Sequence, residues 1–222
     1  MPSPLSRVLE PELMDTAEEA EAYDAMDHGS VNRRFAEDLL ALSPRPGRVL
    51  DVGTGTARIP IQLCALEPTC TVLATDLAAH MLAVARANVA RAGSEDRITL
   101  ELADAKESRL PAAGFDTVIS NSIVHHIPEP ARALADMVRC LRPGGLLFIR
   151  DLERPVDEEA VASLSALHAA NDTPTQRALF EASLRAALTL DEVRAIARDL
   201  RLDPASVTRT SDRHWTLAAR LP

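Results

Sequence analysis

Two periodicities of apolar residues alternate along the chain. Up to about residue 43 the pattern is helical and acidic: Asp15-Thr16 is placed to cap a first helix, and Ser30 a second that carries Val31, Phe35, Leu39 and Leu40 on one face. Pro44-Arg45-Pro46-Gly47 breaks that pattern, and Val49-Leu50-Asp51-Val52 follows as a short buried strand entering a glycine-rich turn. The spacing then predicts a helix over 58–66, a strand over 71–77 and a helix over 79–91 stopped by Gly93. Strands follow over 98–103 and 115–120, a helix over 130–141, and a strand over 146–151 after Pro143-Gly144-Gly145. This order predicts an α/β fold, a mostly parallel sheet with helices on both faces. Thr189-x-x-Glu192 is a capping box opening a helix to about residue 200, and 207–210 and 215–219 flank Ser211-Asp212-Arg213 as a hairpin that closes the sheet with an antiparallel pair. Two additional helices, over 157–170 and 175–187, are separated by Asp172-Thr173-Pro174, and their positions Leu164, Leu167, Leu179, Phe180 and Leu184 are expected to pack. Trp215 and His214 on the last strand are expected to pack as well.

At about 150 residues per domain, 222 residues predict one domain with an elaboration. Its parts are an N-terminal helical arm (1–46), a core (47–154), inserted helices (155–188), and a last helix with the closing hairpin (189–222). The net charge of −9, with one lysine, Lys106, among 24 basic residues, disfavours a grip on polyanions, so nucleic acid is not the expected partner. No run of eighteen apolar residues exists and Met1-Pro2-Ser3-Pro4 begins no signal segment; neither a membrane nor secretion is expected, and the cytoplasm is. Cys64, Cys70 and Cys140 lack paired spacing, which predicts reduced thiols and no metal site.

The informative segment is Asp51-Val52-Gly53-Thr54-Gly55-Thr56-Ala57-Arg58, a strand end followed by glycines that let a ligand approach the backbone. A dinucleotide fingerprint would place its third glycine where Arg58 stands. Asp51 would meet a pyrophosphate as a like charge but would welcome a ligand bearing an ammonium group.

On these residues the chain resembles the class I S-adenosylmethionine-dependent methyltransferases, whose first motif is an acid, then G-x-G and a small residue, as in Asp51, Gly53, Gly55 and Ala57. The resemblance covers nearly the whole chain and implies a Rossmann-like, seven-stranded sheet with an antiparallel terminal strand. It implies that Asp51, Gly53, Thr54, Gly55 and Thr56 bind the cofactor, that Asp76 takes both ribose hydroxyls, that Leu77 and Met81 flank the adenine, and that Asp104-Ala105 lies at its amino group. Asn121 and Ser122 after the fourth strand would line the same groove, and Tyr23 and Met26 would fold over it, although an aromatic and a Met at this spacing are also ordinary core residues.

The implied activity is in-line methyl transfer to an O, N, S or C nucleophile of a small molecule, leaving S-adenosylhomocysteine; holding the nucleophile at roughly 3–3.5 Å from the methyl carbon is then the protein's main work. His125 or His126 is the candidate general base, against packing at the head of the next helix. Arg150, Asp151 and Arg154 end the fifth strand, at the ligand edge of such sheets, and are candidate acceptor contacts, against an ion-paired loop. The inserted helices are a candidate substrate lid. The chain lacks the proline-proline-aromatic motif of exocyclic-amine methyltransferases, reading Ser120-Asn121-Ser122-Ile123 instead, and also the Lys-Asp-Lys-Glu tetrad and the Pro-Cys nucleophile of nucleic-acid enzymes. Two alternatives stay open: a nicotinamide-dependent oxidoreductase, for which Asp76 would also suit a ribose, and a methyltransferase-like domain that binds without catalysis. The acceptor and the oligomeric state are not encoded in any motif.

Overall fold

The computed structural model describes residues 5–10, 15–26 and 29–222. Helices α1 (Ala17–Asp24) and α2 (Gly29–Leu42) precede the sheet, whose strands are β1 (Arg48–Val52), β2 (Thr71–Asp76), β3 (Ile98–Leu102), β4 (Phe115–Asn121), β5 (Leu141–Leu152), β6 (Val207–Arg209) and β7 (His214–Arg220). Between them run α3 (Arg58–Leu66), α4 (Ala79–Arg91), α5 (Pro130–Cys140), α6 (Glu158–His168), α7 (Pro174–Ala186) and α8 (Leu190–Asp199). The strand order is β3-β2-β1-β4-β5-β7-β6, with β1 parallel to β2 and β4, β2 parallel to β3, and β6 antiparallel to β7. The expected seven-stranded α/β sheet with an antiparallel closing strand is therefore present. None of the described helices is long and apolar enough to cross a membrane.

The chain divides into two compact units, one of Leu13–Asn121, Arg132–Phe148 and Ala219–Pro222, the other of Met1–Glu12, Ser122–Ala131 and Ile149–Ala218. In the first, Val49, Leu50, Val72, Ala74, Val118 and Ile119 are buried, as strands covered on both faces require. Phe35 of α2 meets Phe148 edge to face at 5.0 Å between centroids. Thr16 caps α1 in a reciprocal box with Glu19, and Ala20 packs on Ala78 and Met81 at the head of α4. In the second unit Leu152, Val161, Leu184 and Ala187 form a separate small core, with Leu5, Leu164 and Phe180 against it. Thr189 closes the predicted capping box on α8.

Three expectations change. Ser30 lies inside α2 instead of capping it, and Val31 and Leu42 are half exposed, so the buried stripe is Phe35, Ala36 and Leu39. Leu167 and Leu179 are exposed, because one face of a short hairpin of helices suffices to cover the small core. The fifth strand runs through Pro143-Gly144-Gly145 instead of starting after it: Gly144 N–H donates to Leu221 O and Leu221 N–H to Gly145 O, and a Cβ on Gly145 would lie 2.9 Å from Asp116 O. The second glycine thus admits a close backbone approach within a strand and makes no turn there. Phe148→Ala, which removes the partner of Phe35 from a closed core, is expected to cost about 3–5 kcal/mol, read from the urea midpoint.

Candidate functional site

In the first unit, β1 ends in a turn whose backbone is held by the end of β2. Gly53 and Thr54 N–H both donate to Thr75 O (2.8 and 2.9 Å), and Gly55 N–H donates to Asp76 Oδ2 at 2.7 Å. Gly53 and Gly55 take positive φ, 74° and 54°, and so does Ala57 at 61°, directly before α3. Ala57 is fully buried in the left-handed region, where a larger side chain would add crowding to strain.

A cavity of about 250 Å³ opens over this turn, lined by Tyr23, Asp24, Met26, Gly29, Asn32, Asp51, Gly53, Thr54, Thr56, Arg58, Ile59, Gln62 and Asn121. It lies at the carboxyl ends of the adjacent strands β1 and β4, from which the sheet order runs in opposite directions, the place where open α/β sheets take ligands. Tyr23 stands over Gly55, its Cε1 3.6 Å from where a Cβ would be. Burial first, then the charges of Asp76, Asp51 and Asp24, raise the Tyr23 hydroxyl above its ordinary value. Asp51 is 2% exposed, and burial, assisted by the charge of Asp76 and opposed by Thr54, pushes its carboxyl up to about 7. The Thr54 and Thr56 hydroxyl oxygens are buried with no well-aligned hydrogen-bond partner among the described residues. A cavity with a carboxyl short of countercharge and two hydroxyls lacking a well-aligned partner suits a polar ligand carrying a cation.

Asp76 is raised by burial, against the N–H groups of Ala78, Gly55 and Leu77 that hold its charged form. Gly55 N–H takes one direction on Oδ2 and Ala78 N–H one on Oδ1 (2.9 Å). A carboxylate has about four acceptor directions, which leaves room for a diol. Leu77 is half exposed; Met81 is buried against Ala20 and Ala78. Asp104 accepts from Lys106 N–H at 2.8 Å and pairs with its Nζ at 3.1 Å; burial pushes the carboxyl up, but Lys106 outweighs it and holds the group low. Ala105 is half-buried beside it. The cavity thus gathers Tyr23, Met26, Asp51, Gly53, Thr54, Thr56 and Asn121, whereas Gly55, Asp76, Leu77, Met81, Asp104, Ala105 and Ser122 are not in its lining; Gly55 ties the turn to Asp76 by its N–H.

Asp24, Asn32, Arg58 and Gln62 enter the lining without a sequence signal of their own. Arg58, where a third glycine would stand, grips Asp24 through two nitrogens (2.9 and 2.7 Å), and buried Asn88 donates to Asp24 Oδ1 (2.8 Å) and Thr56 O (3.1 Å). The end of α1, the glycine turn and α4 are tied by this one network.

In the second unit, Ser122 has φ 58° and its N–H donates to Arg150 O, starting a tight turn that carries His125 and His126. Asp151, fully buried, accepts from Val124 N–H (2.5 Å) and Leu152 N–H (2.6 Å) and meets His125 Nδ1 at 2.5 Å. Burial disfavours both charges, yet each holds the other: His125 ends above its ordinary value and Asp151 below its own. Arg154 is 8% exposed, with one nitrogen on Ala187 O (2.9 Å) and another on Glu192 (2.6 Å); Arg150 Nε donates to Thr216 Oγ1 at 3.0 Å. Glu10, not singled out in the sequence, lies 3.0 Å from His126 Nδ1 and 3.6 Å from His125 Nε2.

Residues 50–149 match the methyltransferase-domain family. The chain belongs to the class I S-adenosylmethionine-dependent methyltransferases. Over 84% of its length it is 32% identical to 27-O-demethylrifamycin SV methyltransferase of Amycolatopsis mediterranei, and over 54% it is 38% identical to phosphatidylethanolamine N-methyltransferase of Cereibacter sphaeroides. These matches span 66% and 56% of those proteins' own lengths. The fold agrees with a solved S-adenosylmethionine-dependent methyltransferase from Aquifex aeolicus, at TM-score 0.67 and 18% identity, over 94% of this chain and 100% of that one. The family's cofactor is S-adenosylmethionine, and its product S-adenosylhomocysteine.

Because the raised Asp51 binds a proton in the folded chain that it loses when unfolded, stability falls as pH rises from about 4 to about 7. Asp51→Asn is expected to remove that fall and to gain up to about 4 kcal/mol on the wild type at pH 8. Urea midpoints of both proteins at pH 5 and pH 8 measure it.

Proposed function

We propose that this methyltransferase transfers the methyl group of S-adenosylmethionine to an O, N, S or C nucleophile of a small molecule. The observation that carries the reading is the pair of acids around the glycine turn, Asp51 uncompensated at the cavity floor and Asp76 gripping the turn with acceptor directions to spare. When bound, the cofactor supplies an electrophilic methyl group on a sulfonium that is already a good leaving group.

The chain's own residues have the remaining work. Asp51 and the hydroxyls of Thr54 and Thr56 would hold the cofactor's amino-acid end, Asp76 its ribose hydroxyls, Leu77, Met81, Asp104 and Ala105 its base, and Asn121 and Ser122 the groove between them. Tyr23 and Met26, on the cavity lining, would exclude water from it. His125 and His126 follow Asn121 by a few residues in the chain and are the candidates to take a proton from a hydroxyl or thiol acceptor. Asp151 and Arg154, buried in pairs of their own, serve this reading by holding the histidine turn and the start of α8; Arg150 keeps the expected role toward the acceptor. The inserted helices are assigned as the acceptor-side lid of a single catalytic domain. Relatives named for rifamycin and phospholipid methylation support an acceptor of low molecular weight, and the net charge of −9 supports one that is not nucleic acid.

A thermal-shift panel with S-adenosylmethionine, S-adenosylhomocysteine and NAD tests the reading. At about a hundred times its Kd, a ligand adds about 2.7 kcal/mol, which for a chain of this size is roughly 5–10 °C. Both adenosyl compounds are expected to give it, NAD none, and Asp76→Ala is expected to lose it. A shift with NAD alone would turn the assignment to an oxidoreductase.

A further inference from the structure

Residues 5–10 have no part in the function proposed above, yet they are pinned firmly within the second unit. Leu5 N–H donates to Val156 O and Val8 N–H to Arg185 O, both at 3.1 Å. Arg7 Nε donates to Ala186 O at 2.7 Å, and one of its terminal nitrogens to the carbonyls of His125 (3.1 Å) and Ile127 (3.0 Å). These bonds deliver Glu10, with its side chain 10% exposed, to the histidine pair, where Ser183 Oγ donates to it at 3.1 Å.

The two histidines are then not equivalent. His125 has a carboxylate at each ring nitrogen, Asp151 at 2.5 Å from Nδ1 and Glu10 at 3.6 Å from Nε2, while Arg7 opposes them more weakly. Buried, with a carboxylate facing each ring nitrogen, His125 turns neither nitrogen toward a methyl acceptor. His126 keeps 23% of its side chain exposed and faces Glu10 Oε1 with Nδ1 alone, 3.0 Å away and off the line of an ideal hydrogen bond. A lone pair on that nitrogen would confront the carboxylate's own lone pairs, so the ring proton belongs on Nδ1. The lone pair is left on Nε2, which hydrogen-bonds to no other described residue.

We propose that Glu10 is a positioning residue that fixes His126 as its Nδ1–H tautomer and makes His126 Nε2 the base for the acceptor, with His125 held on Asp151. This rests on the methyltransferase reading. In the step itself the acceptor's O–H or S–H bond breaks and its proton forms an N–H bond at His126 Nε2. The electron pair left on the acceptor forms the new bond to carbon as the carbon–sulfur bond breaks onto sulfur. Glu10 balances the imidazolium that results.

The test is a two-bond proton–nitrogen correlation spectrum of the full chain labelled with ¹⁵N-histidine, taken at alkaline pH, for the wild type, Glu10→Ala and Glu10→Gln. In the wild type the proton is expected on Nδ1 of His126. Glu10→Ala is expected to move it to Nε2, while Glu10→Gln, which keeps an oxygen acceptor, retains the wild-type tautomer; His125 stays bonded to Asp151 throughout. A wild-type His126 protonated at Nε2, or a tautomer unmoved by Glu10→Ala, overturns the proposal, and the first of these decides even if the alanine variant does not fold. A titration with ZnCl₂ is the further arm: one zinc bound at micromolar affinity, lost in Glu10→Ala and in His126→Ala, would make the trio Glu10, His125 and His126 a metal site and overturn it as well. The thermal shift with S-adenosylhomocysteine is expected to survive in Glu10→Ala; its absence from the wild type would sink the methyltransferase reading while leaving the tautomer result intact.

Discussion

The arrangement depends on a backbone turn that is held largely from a neighbouring strand. After β1 the chain reverses through three positive-φ residues, and its amide protons are taken up by the last two residues of β2: Thr75 through its carbonyl and Asp76 through its carboxylate. Parallel pairing of β1 with β2 sets Val52 beside Thr75, so register in the sheet and conformation of the turn are one constraint. The cavity, the entry of α3 and the placement of Asp51 follow from it, and the network of Arg58, Asp24 and Asn88 extends the same constraint to α1 and α4.

The two units treat a buried aspartate in opposite ways. Asp51 has no positive charge acting on it among the described residues and is pushed toward the neutral acid, a state that a cationic ligand would reverse. Asp151, buried as deeply, has its ionised form held by His125 and by backbone amides. The first keeps a carboxyl on a cavity wall with its charge uncompensated among the described residues. The second is complete on its own, and it fixes the turn on which both histidines sit.

Most of the architecture was legible because it is written locally. The helices over 58–66 and 79–91 follow from periodicity and a glycine stop, and α8 from a capping box, all short-range devices. Pro143-Gly144-Gly145 misled because glycine serves both turns and close strand contacts, and only Asp116 across the sheet decides which. In the site, Asp51, Asp76 and the glycines carry a motif. Asp24 and Arg58 are 34 positions apart and Glu10 lies 115 before His125, and no pattern in one sequence joins such residues. For Arg154 the strand end leaves both an acceptor contact and an ion-paired loop open, and its partners, Ala187 and Glu192, are set by the tertiary fold.

The second unit is assembled from three stretches far apart in the chain, and Arg7 reaches a partner 179 residues away. Contacts of such sequence separation form late in folding, since a long loop must close before they repay it. As the chain leaves the ribosome, β1 to β4 have everything their pairing needs once Asn121 has emerged, whereas the segment at residues 5–10 must wait for α7. The surroundings of the histidine turn are therefore completed only after α7 has emerged, well after the glycine turn can form.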